Sequence, residues 1–232
     1  MRMPSIFSYL LSLFLPPRCH VCGHPLPGTR DYICAGCFAD LTKVSYSPSN
    51  NPMTEALAVI PGSLDGMAFL RYAASNSCSQ LIQDFKYRGF SRLARILGRE
   101  AVTQLSVTGF FSGVDLILPI PLHRRKLRKR GYNQAREIAL GLSDVTGIPV
   151  GKQLMAIKHH STQTRLSRSA RMGNVEGVFG LRNPEELEGR TVLLVDDVFT
   201  TGATLLSASQ TVVSSARSVR IKIFALASAY NG

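Results

Sequence analysis

The chain has 232 residues, 45% of them apolar, which is enough for one ordinary core with a small appendage. That proportion is too high for a disordered chain and too evenly spread for a membrane bundle. Lysine and arginine number 27 against 15 aspartates and glutamates, a formal net charge of +12 that favours phosphorylated metabolites, nucleic acid or an anionic membrane surface. General solubility is the bland alternative, and the placement of the charge along the chain has to separate those partners.

The first apolar run, Ile6 to Leu15 behind Arg2, imitates the start of a signal peptide. It lacks a small-residue cleavage site and is too short to span a bilayer, so residues 1–15 read as a short helix packed on the body of the protein. Contact with a membrane surface is the alternative, without stable insertion. Next come Cys19-His20-Val21-Cys22 and Cys34-Ala35-Gly36-Cys37, with Cys78 standing apart. Two Cys-x-x-Cys pairs and an odd fifth cysteine argue for thiolate metal ligands in a reducing, cytoplasmic compartment rather than secreted disulfides. Each pair puts two thiolates on one turn, and two turns complete a tetrahedron, so Cys19, Cys22, Cys34 and Cys37 are expected to hold Zn2+. Four protein ligands leave no open position, which makes the site structural. His20 and His24 read as bystanders, and residues 16–46 as a compact zinc ribbon or knuckle that docks nucleic acid or a partner if it does more than stabilise.

Residues 47–52, rich in serine, proline and asparagine, read as a linker, with the main domain at 47–232. Met67–Tyr72 predicts a strand. Ser77 reads as the N-cap of a helix with Leu81, Ile82 and Phe85 on one face, and Cys78 as a core residue. Helical spacing returns from Phe90 to Gln104. A βα pattern follows: a buried strand over Val114–Ile120, a helix over Ala135–Ser143, a strong strand over Arg190–Val195, a helix from about Gly202 to Ala216, and a last strand over Val219–Ala227. Strands alternating with helices predict an α/β fold, a mostly parallel sheet with helices on both faces.

The strand at Val192–Val195 runs into Asp196-Asp197, then Val198-Phe199-Thr200-Thr201-Gly202-Ala203-Thr204 and a helix. Adjacent carboxylates at the carboxyl end of a parallel strand repel each other. They make sense as acceptors for vicinal hydroxyls or beside a hydrated cation. The threonine–glycine turn opens a helix whose free N–H groups and dipole favour an anion, and Gly202 permits close backbone approach. Together these describe a site for ribose 5-phosphate. An ATPase reading fails, because Gly147–Gln153 has the wrong spacing for a phosphate loop and no hydroxyl.

The segment Val192–Thr204 resembles the signature by which type I phosphoribosyltransferases bind PRPP (5-phosphoribosyl-1-diphosphate). The resemblance implies that Asp196 and Asp197 hold the ribose hydroxyls and Thr200, Thr201, Gly202, Ala203 and Thr204 the 5-phosphate. In such enzymes a basic loop near the acids binds Mg2+-bearing diphosphate, here the run His123 to Gln134. Arg124, Arg125 and Arg130 are then the catalytic cations, because stabilising the departing diphosphate is most of the catalysis. A polar lid over the site would be Ser161–Asn174.

The string Arg130-Gly131-Tyr132-Asn133-Gln134-Ala135, the spacing of Gln163, Leu166, Arg171 and Asn174, and the acid pair narrow the resemblance to the ComF family of ComFC- and GntX-like proteins. That resemblance adds Pro121, Gly131, Asn133, Gln134, Gln163, Arg165 and Arg171 to the ligand-binding set. It implies a PRPP-dependent phosphoribosyltransferase of unassigned acceptor, tied to DNA uptake in competence or to nucleotide metabolism. The rival expectation is a single-stranded-DNA-binding accessory protein whose transferase site only senses PRPP. It would use the basic loops, Tyr132 for stacking, and a competence helicase as partner.

Overall fold

A computed structural model describes residues 17–26, 32–73, 76–157 and 178–230. The expected helix over 1–15 and the lid segment with Gln163, Arg165 and Arg171 lie outside the described residues. In chain order the elements are α1 (Ala35–Ala39), α2 (Pro52–Leu57), β1 (Ser63–Arg71), α3 (Ser77–Tyr87), α4 (Ser91–Leu105), β2 (Leu116–Pro119), α5 (Arg124–Arg130), α6 (Gln134–Thr146), β3 (Leu154–Ala156), β4 (Phe179–Leu181), β5 (Thr191–Phe199), α7 (Ala203–Ser215) and β6 (Arg220–Ser228).

Four strands pair in parallel in the order β1-β6-β5-β2, and β3 and β4 form a separate antiparallel ribbon. The period of two along each strand sorts the core into two layers. Leu193, Val195, Phe224 and Leu226 face α3, α4 and α6 through Leu81, Phe85, Leu97, Ile138 and Leu142. Val192, Leu194, Ile221 and Ile223 face α2 and α7 through Met53, Leu57, Leu205 and Val212. Helices therefore cover both faces, as the βα pattern predicts. Among the described residues no helix is long and apolar enough to cross a membrane.

Three local features differ from the sequence reading. The segment read as a linker contains Asn51, which is buried and caps α2 by accepting from Met53 N (2.9 Å) and Thr54 N (3.1 Å). Its amide donates to Ser47 O, Pro48 O and Gly66 O at 2.7–2.8 Å, so this stretch is knotted onto β1. The cap of α3 is Asn76, one residue before the expected Ser77, with its side chain accepting from Ser79 N at 3.0 Å. β5 runs on through Asp196 and Asp197 to Phe199 because β6 supplies ladder partners as far as Ser228, and backbone pairing is indifferent to side-chain charge.

Candidate functional site

The acid pair stands at the carboxyl end of β5, beside the end of β2. Ile120 N donates to Val195 O at 2.8 Å, so the chain leaving β2 through Pro121, Leu122 and His123 passes alongside Asp196. Between them lies a cavity of about 200 Å3 whose wall includes Lys86, Pro121, Lys126, Arg130, Asp196, Asp197 and Thr204. The small β3–β4 ribbon closes one side with Ala156 and Phe179. This is the position at which open parallel sheets bind ligands.

The two carboxylates differ. Asp196 accepts from Asp197 N at 2.8 Å, yet burial and the charge on Asp197 raise its carboxyl to about 7. Asp197 keeps a cation: Lys86 Nζ lies 3.0 Å from its Oδ1. Beyond them Gly202 takes φ +75° and starts α7 with no capping side chain of its own, and Ala203 N makes only a long 3.5 Å contact to Thr201 Oγ1. A Cβ at Gly202 would lie 2.7 Å from the Phe199 ring, so the turn requires glycine both for its φ and for its space. Thr200 and Thr201 are exposed beside it, and Thr204 reaches the cavity wall. Acceptors for hydroxyls and donors for a phosphate thus sit side by side.

The basic run is a helix where the sequence reading has a loop. His123 Nδ1 accepts from Arg125 N (3.3 Å), Gly131 ends the helix at φ +80°, and Arg128, Lys129 and Arg130 favour its negative C-terminal end. Helical spacing then divides the charge. Lys126 and Arg130, four apart, face the cavity. Arg124 and Arg125, expected beside Arg130, are exposed with Arg128 and Lys129 and do not line it.

Asn133 and Gln134 act from behind. Asn133 Nδ2 donates to Ile120 O (2.9 Å), which ties α6 to the end of β2. Gln134 is buried, and its Oε1 accepts from Arg130 at 3.1 Å, which holds that guanidinium toward the cavity. Among the described residues, Asn133 Oδ1 and Gln134 Nε2 are buried without a partner. Tyr132, expected to stack on bases, instead donates its hydroxyl to Phe85 O and joins α3 to the end of α5.

The family model for the phosphoribosyl transferase domain matches residues 127–231, which include most of α5, α6, β5 with its acid pair, α7 and β6. Competence protein F of Haemophilus influenzae is 31% identical over 200 residues, covering 81% of this chain and 87% of that one. The chain belongs to the ComF family, within the phosphoribosyltransferase superfamily. DNA utilization protein YhgH of Escherichia coli K12 is 28% identical over 211 residues, covering 85% of this chain and 91% of that protein. Competence protein ComFC of Bacillus subtilis is 24% identical over 155 residues, covering 67% of this chain and 61% of that one.

The cysteine cluster of this ComF-family chain has the geometry of a metal site. The four sulfurs of Cys19, Cys22, Cys34 and Cys37 lie within 4.8 Å of one another, and those of Cys22 and Cys34 are 3.8 Å apart. Zinc–sulfur bonds of about 2.3 Å at tetrahedral angles put neighbouring sulfurs about 3.8 Å apart, so these residues fit a four-thiolate structural metal. Backbone N–H groups point at the sulfurs, Cys34 N to Cys19 Sγ (3.3 Å) and Cys37 N to Cys34 Sγ (3.4 Å). Burial alone would raise the Cys19 thiol, but the N–H groups of Cys22, Cys34 and Val21 outweigh it and bring it down to about 6, while hydrogen bonding to Cys22 pushes the Cys37 thiol up. None of the five cysteines is in a disulfide, and Cys78 is a core residue whose thiol burial raises to about 12.

Two roles escaped the sequence. His20 stands outside the four-sulfur cluster, as expected, but it has a structural role: its Nδ1 lies 3.0 Å from Asp84 Oδ2, and its ring packs edge-on to Phe90 at 4.2 Å. The cysteine module is thereby docked on α3 and the start of α4. Lys86 ends a helix whose apolar face was evident, but nothing local marks that lysine as facing the acids; only the packing of α3 on the sheet brings them together.

Proposed function

We propose that the cavity at the ends of β2 and β5 binds Mg2+-PRPP, with the metal carried in on the diphosphate. Asp196 and Asp197 accept the ribose hydroxyls. The residues from Thr200 to Thr204 and the start of α7 take the 5-phosphate. Arg130 and Lys126 meet the diphosphate, with Gln134 holding Arg130 in place. The observation that carries this reading is that the acid pair, Thr204 in the first turn of α7 and the inward cations all border one cavity at the sheet's carboxyl end.

Such a site can support transfer. Attack of an acceptor at the anomeric carbon breaks its bond to the diphosphate, and the sugar passes through an oxocarbenium-like state. The cations then stabilise the charge that collects on the leaving oxygens. The acid pair fixes the ring so that this carbon faces them. The relatives' names speak of competence and DNA utilization, and we place this chain in the same cytoplasmic process, as a PRPP-binding member whose acceptor is to be found by screening. The four-cysteine cluster would hold Zn2+ as a structural ion that keeps the N-terminal module folded against α3.

Calorimetry of the zinc-loaded protein with Mg2+-PRPP tests the site. Saturable binding that disappears in the Asp196→Asn/Asp197→Asn double variant supports it, and no binding to the wild type overturns it.

One observation favours a second reading. Arg124, Arg125, Arg128 and Lys129 form an exposed cationic face pointing away from the cavity. That face suits the backbone of single-stranded DNA, bound independently of PRPP. Binding there should fall steeply with salt, weaken when Arg124, Arg125 and Arg128 become glutamine, and survive Asp196→Asn. Loss of DNA affinity in the Asp196 variant would remove this reading.

A further inference from the structure

The last turn of α3 is where three parts of the molecule meet. Asp84 receives His20 from the cysteine module at 3.0 Å, and the carbonyl of Phe85 receives the Tyr132 hydroxyl from beyond α5. Lys86 reaches Asp197 at 3.0 Å. Three consecutive residues are each tied to a different element. The backbone that carries Lys86 is therefore held before any ligand arrives, and its ammonium enters the cavity from α3, whose next residue, Tyr87, has the Arg130 guanidinium 5.5 Å from its ring.

A lysine–aspartate pair with side chains 20% and 13% exposed returns little stability, because desolvation of both charges offsets their attraction. The pair makes more sense through what a ligand would do to it. Ribose hydroxyls that donate to Asp197 would take the oxygen Lys86 now contacts. The hydroxyl nearer the anomeric carbon would stand about 2.7 Å from that carboxylate. The diphosphate begins on the adjoining carbon, within reach of a four-carbon stem whose end is already at the same carboxylate.

We propose that Lys86 is a diphosphate-contacting residue, one that exchanges Asp197 for the diphosphate when PRPP binds. The proposal rests on the PRPP reading of the cavity and adds to it a cation from outside the basic helix. The site would then hold the leaving group with cations from two elements, Lys126 and Arg130 on α5 and Lys86 on α3. The exchange also makes Lys86 selective. It disfavours ligands that have the ribose hydroxyls but no diphosphate, since these would displace the lysine from Asp197 and offer it nothing.

The test compares wild type, Lys86→Gln and Lys86→Arg by calorimetry against Mg2+-PRPP, ribose 5-phosphate and Mg2+-pyrophosphate. Melting midpoints and metal content serve as controls for folding. Lys86→Gln should weaken PRPP and pyrophosphate by about 10- to 100-fold, the loss of one charge-assisted contact. Ribose 5-phosphate should bind as in the wild type or more tightly, and Lys86→Arg should recover most of the PRPP affinity. If Lys86→Gln folds poorly, Lys86→Met, which keeps the apolar stem, takes its place. Equal losses for PRPP and ribose 5-phosphate would show that Lys86 acts only through Asp197, and would overturn the proposal while the PRPP site stands. Unchanged PRPP affinity overturns it as well. A wild type that binds neither sugar phosphate brings down the site reading and this proposal together.

Discussion

His20 Nδ1 lies 3.0 Å from Asp84 Oδ2, and Asp84 is buried two residues before the lysine that pairs with the acid pair. The cysteine module is thus anchored to the element that carries one wall of the candidate site. Gln80 Nε2 donating to His20 O at 2.6 Å and the packing of Tyr32 on Phe90 reinforce the anchor.

Removing the metal should therefore be felt at the acid pair. Chelation, or Cys22→Ser with Cys37→Ser, is expected to abolish the zinc binding proposed for the cluster and lower the melting midpoint, because so short a module cannot hold its fold otherwise. It should also weaken Mg2+-PRPP by several-fold, read by calorimetry on protein that is still folded. Asp84→Ala should lower stability by about 1–3 kcal/mol in urea, since it strips the buried acceptor from His20 and Arg88 while every thiolate remains. Full zinc content in the double cysteine variant would exclude the four-thiolate site.

Asp196 imposes a pH dependence of definite sign. Burial and Asp197 raise its carboxyl to about 7, so between about pH 4 and pH 7 the folded protein holds a proton that the unfolded chain has released. This contribution to stability is fully present below about pH 4 and is lost as pH rises through about 7. Asp196→Asn never ionises, so its stability should exceed that of the wild type by a margin that grows across this window. The margin should reach on the order of 2–4 kcal/mol above pH 7. Urea titrations of both proteins from pH 4 to 8 measure it, and a margin independent of pH would contradict the assignment.

The packing of α4 on α6 depends on two glycines. A Cβ at Gly141 would lie 2.2 Å from Arg95 O, and one at Gly98 would lie 2.5 Å from Ile138 O. Both obstacles are backbone, so the helices would have to separate. Gly141→Ala should cost about 1–3 kcal/mol despite alanine's better helix propensity. Separation would also loosen Asp144 from Arg95 (2.6 Å) and Arg99 (2.7 Å). A urea midpoint lowered at unchanged slope is the expected result.

Asn51 offers a test of the segment before β1. Replacing it with alanine removes the cap of α2 and the amide that satisfies three carbonyls, one of them Gly66 O inside the sheet. A loss of about 2–4 kcal/mol is expected, well above an exposed N-cap. Thermal melting reads it, and a change below about 0.5 kcal/mol would mean that this stretch behaves as a linker.

Much of this architecture was legible in the residues alone. The alternation of apolar strands with helical periods determined the α/β class and the positions of most elements, because burial on two faces imposes those periods directly. Two Cys-x-x-Cys pairs specified a metal cluster, and Asp196-Asp197 before a threonine–glycine turn specified the candidate site, because in both the cooperating groups are close in sequence. What only the tertiary structure decided are relations between distant segments. A run of seven basic and apolar residues looked like one patch until a helix sent Lys126 and Arg130 inward and Arg124 and Arg125 outward. His20 with Asp84, and Lys86 with Asp197, are separated by 64 and 111 positions. Such pairs leave no periodicity behind, since they follow from how α3 packs on the sheet rather than from any local preference of the chain.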